Sequence, residues 1–429
     1  MARSERYEGG SGSRVTRRGV LGGAVALGIG VGLDRFASAG GDGAARLNET
    51  KASEGRAIPF YGSRQAGIDT SQPEYLDFAT FDVADDAVED LRTLLQEWTA
   101  AAATLTRGDR YGSLATKRSS AVPVDPGEAI GSGPAELTIT IGFGSRLFRT
   151  TEGQRFGSGF TRPKALVPLP SFRGESLEPD RSGGDLCVQA CAADPQVAFH
   201  AIHVFMRIAS GVATLRWSQQ GFGRTSSTSR DQSTPRNLMG FKDGTNNVRV
   251  KDQNEMDEHV WVQPGDGPSW MEGGTYMVVR RIQMLLDVWD ATSLEGQERA
   301  VGRDKVSGAP LGQESEYDPV DLQAKENGEL AIPADAHIRL ASPDLNDGQR
   351  ILRRGFSYTE PSEAGSGQLD AGLFFISFQR DPQRQFVPIQ RRLAANDALS
   401  RHLLHTGSGV FACPPGVQPG GFIGEGLFA

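Results

Sequence analysis

Cysteine is scarce, with three among 429 residues, too few to build a disulfide framework. Cys187 and Cys191 lie four apart in a stretch that reads as a strand. Four strand residues span about 13 Å against a disulfide limit of roughly 7 Å, so the pair is expected to pack in a core rather than form a bridge or a metal site. A basic excess is also missing: 45 Lys and Arg face 53 Asp and Glu, a formal charge of −8. That balance excludes a general nucleic-acid binder, which must face phosphate with net positive charge. Long apolar runs are absent too. The longest uncharged N-terminal stretch, Gly19–Leu33, is Gly-rich and falls short of the roughly 20 strongly apolar residues that cross a bilayer, so no stable membrane insertion is expected. Apolar residues nevertheless make up 38% of the chain, enough for a packed core and two or three compact units.

What is present begins with an address. Ser13-Arg-Val-Thr-Arg17-Arg18 is a positive segment with paired arginines. The weakly apolar Gly19–Leu33 follows, and Ala37-Ser-Ala39 is a small-residue cleavage site. The pattern predicts a twin-arginine signal over residues 1–39, an export-machinery partner, and a product that is periplasmic or extracellular. Residues 40–56 read as a flexible linker.

Alternating strand and helix signals follow. Strands are expected over 75–83, 136–143, 212–217, 275–284 and 371–379. Helices are expected from 85 to about 103, 195 to 208 and 385 to 404. Asp194-Pro-Gln-Val-Ala-Phe199-His-Ala-Ile202 and Asp381-Pro-Gln-Arg-Gln-Phe386-Val-Pro-Ile389 share the spacing D-P-Q-x-x-F-x-x-I, and each follows an apolar strand. Asp followed by Pro opens helices readily, as N-cap and first-turn residue, but the shared Phe and Ile suggest two similar α+β halves with antiparallel strands, 57–235 and 236–429.

Six histidines are available for chemistry. His200 with His203, and His402 with His405, sit three apart where helices are expected and read as helix-face residues; His259 reads as solvated. His337, in Asp335-Ala-His-Ile-Arg339-Leu, is either a surface residue or an axial donor to a metal. Gly240-Phe-Lys-Asp243-Gly244 is either an ordinary Asp-Gly turn or a carboxyl group desolvated among apolar neighbours and so able to exchange a proton. Arg353 and Arg354 are solvated, or strand alternation turns one inward towards a negative partner.

Together these blocks resemble the dye-decolourising peroxidase family, in its exported, deferrochelatase-like branch. The likeness rests on Gly240-Phe-Lys-Asp243-Gly244, on Gly184–Asp194, on His337-Ile-Arg-Leu-Ala-Ser-Pro343, on Ile351–Tyr358 and on His405–Gly416, in order along almost all of the chain beyond the signal. The resemblance implies two ferredoxin-like domains with antiparallel sheets and one non-covalent haem b per chain, held mainly by the C-terminal domain; with no Cys-x-x-Cys-His run, covalent attachment is excluded. It makes His337 the proximal iron ligand and Asp397 its hydrogen-bonding carboxylate. Asp243 becomes the distal acid/base and Arg353 the distal arginine, with Arg354 the alternative. Leu373 and Phe375 become the apolar wall, and Arg339 a propionate partner. Gly355 stands where some branches carry Asn. The implied activity is oxidation of dyes, phenolics or other one-electron donors by hydrogen peroxide through a ferryl intermediate, with Trp217, Trp261, Trp270, Trp289 or Tyr358 as relays to the surface. Release of iron from haem is the alternative within the fold. A non-catalytic haem carrier and a haem-free binding module are the others, and the oligomeric state is open.

Overall fold

In the computed structural model, the described residues are 55–429 apart from 85–86, 113–119, 121, 151–152, 157–158, 227–232 and 363–366. The twin-arginine segment, nearly all of the linker and the expected helix start at Asp85-Asp86 lie outside them.

Strand β1 (Tyr75–Val83) is followed by helix α1 (Val88–Leu105), β2 (Thr138–Gly144), β3 (Leu186–Ala192), α2 (Pro195–Ala209) and β4 (Ala213–Arg224). The four strands pair antiparallel in the order β4-β1-β3-β2, the ferredoxin-like order. Alternation along β1 explains why this sheet has two apolar faces. Ala79, Phe81 and Val83 join the core beneath the helices, whereas Leu76 and Phe78 join a second core on the other side. Helix α1 buries Leu91, Leu94, Leu95, Trp98, Ala102 and Leu105 at helical spacing. The Trp98 indole is sandwiched between Phe81 and Phe205, with its N–H donating to the Phe205 carbonyl at 3.1 Å. Asp194 caps α2 as the sequence predicts, accepting from the Gln196 amide at 2.8 Å.

The second half repeats the plan. Its principal elements are β5 (Thr275–Met284), the one-turn helix α3 (His337–Leu340), β6 (Leu352–Arg353), β7 (Phe356–Glu360), β8 (Asp370–Gln379), α4 (Phe386–Asn396) and β9 (Leu403–Cys413). The order is β9-β5-β8-β7, with the short β6 in line with β7 on the same side of β8. The two sheets then join, β4 to β7 and β2 to β9, so that eight strands close on themselves with β6 as an appendage. Closure removes the exposed sheet edges that invite mispairing. Its interior is the second core, where Phe78, Trp217, Phe374, Phe411, Met277 and Tyr358 meet from both halves. Cys187, Cys191 and Cys413 are free thiols buried there.

Several expected bounds move. The third expected strand runs on to Arg224. The last helix starts at Phe386, because Asp381 caps a preceding turn through the Gln383 amide. It stops at Asn396, and Leu403–Cys413 is strand. His402 therefore ends a short 3-10 turn and His405 lies on β9, not on a helix. His259, expected in solvent, is buried at the end of a short helix. His200 and His203 do share a helix, and both rings bond the Glu128 carboxylate.

The halves differ in one respect that makes the site. In the first, two helices cover the outer face of the sheet. In the second, among the described residues, α4 is the one long helix, and the chain between β5 and β6 carries only the short helices Leu286–Asp290, Leu294–Val301 and His337–Leu340. A cavity of about 260 Å³ opens there.

Candidate functional site

Three kinds of chain line this cavity. The outward residues of the second sheet, Arg280, Ile282 and Met284 on β5, Leu373 and Phe375 on β8, and Leu403 and His405 on β9, form its floor. Phe386, Ile389 and Leu393 of α4 form one side. The segments around Asp243, His337 and Arg353 supply much of the rest, with Val301, Arg303, Val320 and the 397–400 turn. The apolar alternation that buries Phe374 and Ile376 inside the closed sheet thus turns Leu373 and Phe375 towards the cavity.

Asp243 is presented by a tight loop. Gly240 and Gly244 adopt φ of +85° and +94°, conformations that cost little only for glycine. The Asp243 amide is tied to the Pro235 carbonyl at 2.9 Å. Its Oδ1 receives the Arg353 Nη1 at 2.6 Å, and its Oδ2 receives the Asn237 side-chain amide at 3.2 Å. Asp243 is therefore a paired carboxylate held at both oxygens, not the lone group among apolar neighbours that sequence reading allowed. Strand alternation separates the two arginines. Arg353 lines the cavity, whereas Arg354 is wholly buried on the other side with its Nη1 on the Thr70 carbonyl at 2.5 Å.

His337 opens α3. Its Nδ1 lies 2.7 Å from Asp397 Oδ2, and Asp397 Oδ1 accepts from the Leu399 amide at 2.8 Å. With Nδ1 committed, Nε2 is the nitrogen left to the cavity. The side chain sits deep in the protein yet keeps 32% of its surface accessible, because that surface faces the cavity. Burial depresses the imidazole pKa, but the charge and hydrogen bond of Asp397 outweigh it and the net shift is upward. Asp243 and Arg353 both act on His337 through their charge.

Arg339 is placed elsewhere. Its guanidinium bonds the Ile332 and Leu322 carbonyls, at 2.6 Å for the latter, so it braces a loop and does not line the cavity. Sequence reading missed three arginines that line the cavity, Arg303, Arg350 and Arg280, the last held by Glu175, by Ser408 Oγ at 2.9 Å and by His405 Nδ1 at 3.3 Å. Because an arginine only donates, His405 Nδ1 must accept and its proton sits on Nε2. Burial and the Arg280 charge push the His405 pKa down to about 3, so this imidazole stays neutral. The signal was available in Thr275–Met284: on a strand, Arg280 and Ile282 share a face. Of the proposed relays, Trp217, Trp261, Trp289 and Tyr358 are buried, and only Trp270 reaches partial exposure.

This donor set fits a metalloporphyrin. Among the described residues, no group of three or more His, Cys, Asp or Glu is arranged to hold a metal ion, so His337 offers one imidazole nitrogen, not a protein cage. One imidazole nitrogen, apolar walls, a carboxylate and guanidinium groups are donors that suit a haem.

Comparison with known proteins agrees with this chemistry. The family model described as "Dyp-type peroxidase, N-terminal" matches residues 65–223, and "Dyp-type peroxidase, C-terminal" matches 234–418. A dye-decolorizing peroxidase of Thermobifida fusca is 39% identical over 371 residues, covering 85% of this chain and 83% of that protein. A deferrochelatase of Yersinia pestis is 37% identical over 365 residues, 84% and 82% of the two chains. Among solved structures, DtpA of Streptomyces lividans, determined as an oxyferrous complex, superposes with a TM-score of 0.79 at 38% identity, covering 89% of this chain and 99% of that one.

Proposed function

Because the chain belongs to the Dyp-type peroxidase family, we propose that His337 and the Asp243–Arg353 pair, which line one cavity, divide the work of its peroxidase reaction. The protein is a haem-dependent peroxidase that uses hydrogen peroxide to oxidise one-electron donors. The observation that carries the assignment of roles is that an Asp397-bonded imidazole and an Arg353-bonded carboxylate line the same cavity.

His337 Nε2 would hold the iron, Leu373 and Phe375 would supply apolar lining, and the Nε2–H of His405, oriented by Arg280, would be available to its carboxylates. When bound, haem supplies the iron that activates peroxide and the electrons that O–O cleavage consumes. The protein's part is protonic and electrostatic. Asp243, as carboxylate, accepts a proton from peroxide and returns it to the departing oxygen, which leaves as water. Arg353 steadies the negative charge that develops on that oxygen. Asn237 holds the second carboxylate oxygen, so Asp243 does not swing away between the two transfers. Asp397 fixes the His337 tautomer and raises its basicity as a ligand.

We also propose export by the twin-arginine route and a periplasmic or extracellular site of action, on the strength of Arg17-Arg18, the weakly apolar Gly19–Leu33 and Ala37-Ser-Ala39. Among the described residues, no helix is long and apolar enough to cross a membrane. Arg17→Lys with Arg18→Lys should leave the protein in the cytoplasm; export of the double variant would refute this route.

A second reading, release of iron from haem, is favoured by the deferrochelatases among the relatives. Product analysis separates the two. Peroxide-driven oxidation of a dye with the haem retained supports the peroxidase, whereas intact protoporphyrin accumulating with free iron supports the deferrochelatase.

A further inference from the structure

The loop that presents Asp243 reaches four residues further to Asn247, which does not line the cavity. Its side chain is turned to the main chain of Arg353. Asn247 Oδ1 accepts from the Arg353 amide at 2.8 Å, and Asn247 Nδ2 donates to the Arg353 carbonyl at 2.8 Å. Oδ1 also accepts from the Val248 amide at 3.0 Å, and the loop is closed behind it by the Asn247 amide on the Gly244 carbonyl at 3.1 Å.

The reason lies in the sheet. Arg353 is on β6, a two-residue strand with, among the described residues, a strand neighbour on one side only, β8. On that side the ladder is carried by the Arg354 amide, which donates to the Ile376 carbonyl at 2.8 Å. Successive residues of a strand point their amide and carbonyl to opposite sides, so the amide and carbonyl of Arg353 face away from the sheet. The primary amide of Asn247 supplies both missing partners, as the next strand would. With 6% of its surface exposed, Asn247 leaves little room for water to replace it, and buried backbone groups need such partners.

We propose that Asn247 is the positioning residue for Arg353, so that one loop delivers the acid and, four residues on, locks the guanidinium that pairs with it. This rests on the reading of Arg353 as the residue that steadies charge at the cavity. Only a side chain that both donates and accepts at this length does the task. Aspartate has the same shape but no donor, and it would set an oxygen against the Arg353 carbonyl.

The test is a double-mutant cycle on the haem-loaded enzyme, with fluoride binding to ferric haem as the readout because it measures charge stabilisation at the open face without turnover. Arg353→Leu alone should weaken fluoride binding; if it does not, the reading of Arg353 fails, and this proposal with it. Given that loss, Asn247→Asp should weaken fluoride binding about tenfold in the presence of Arg353 and change it little in the Arg353→Leu background. Equal effects in both backgrounds, or none beside Arg353, would overturn the positioning role. Asn247→Ser, which removes both bonds without adding a charge, should follow the same pattern, and an unshifted haem absorption band shows that each variant is folded and loaded. In the unaltered holoenzyme the Arg353 amide should exchange slowly with deuterated solvent. Exchange as fast as that of an exposed edge-strand amide would refute the clamp without any variant.

Discussion

Asp397 grips His337 from behind: its Oδ2 lies 2.7 Å from the imidazole Nδ1, while its Oδ1 caps the turn that follows through the Leu399 amide at 2.8 Å. The carboxylate is therefore fixed by the backbone before it fixes the ring. Asp397→Asn keeps the cap and loses the charge. Haem should stay bound but be held more weakly, by about 10- to 100-fold in affinity, as for other partners of metal-ligating histidines. Titration of the apoprotein with hemin measures this, and unchanged affinity would leave Asp397 a helix-cap residue only.

Asp243→Asn removes the proton acceptor and keeps the shape. Arg353→Leu removes the charge and keeps the bulk. Each should slow the reaction with peroxide by about 100-fold or more, while the resting haem spectrum stays close to that of the unaltered enzyme. Stopped-flow mixing with peroxide gives both rates. If both variants react at the unaltered rate, neither residue has the role assigned here.

Asp77 offers a pH dependence distant from the cavity. It lies buried on β1 with one hydrogen bond from Gln220, and burial pushes its pKa up to about 7. An unfolded Asp ionises near 3.9. Between that value and about 7 the unfolded chain loses its proton first, so the carboxyl erodes stability as pH rises through this window and the loss is complete above it. Asp77→Asn should accordingly stabilise the protein at pH 8 by on the order of 2 kcal/mol and make little difference at pH 4. Thermal unfolding at the two pH values shows the difference; a pH-independent effect would mean that ionisation of Asp77 is not its source.

The Trp98 indole closes the core between α1, α2 and the sheet, wholly buried and hydrogen-bonded across to the Phe205 carbonyl. Trp98→Ala should cost about 3–5 kcal/mol. Trp98→Phe should cost less, since it keeps the ring contacts to Phe81 and Phe205 and forfeits one bond. Urea unfolding ranks the two, and equal losses would show that the hydrogen bond dominates over packing.

Much of this was legible in the chain. The strand Tyr75–Val83 alternates so plainly that its bounds coincide with the expectation, and the Asp-Pro-Gln repeat correctly marked a helix after a strand in both halves. What was not legible depends on chain segments meeting from a distance. Closure of the two sheets needs β2 to find β9 and β4 to find β7, and no local pattern records such pairings. Arg339 and Arg280 illustrate the same limit within the site. Both are arginines in apolar surroundings, and only tertiary contacts show that one braces a loop while the other faces the cavity. Asn247 would pass for a turn residue, since the strand whose edge it satisfies lies about a hundred residues further on.

The most direct measurement is the optical spectrum of protein reconstituted with hemin and then desalted, for the unaltered chain and for His337→Ala. The unaltered chain should retain one equivalent of haem with the absorption of a histidine-ligated ferric centre, and His337→Ala should lose most of it on the column. Equal retention with the same spectrum in both would show that another side chain ligates the iron and would contradict the assignment of this cavity.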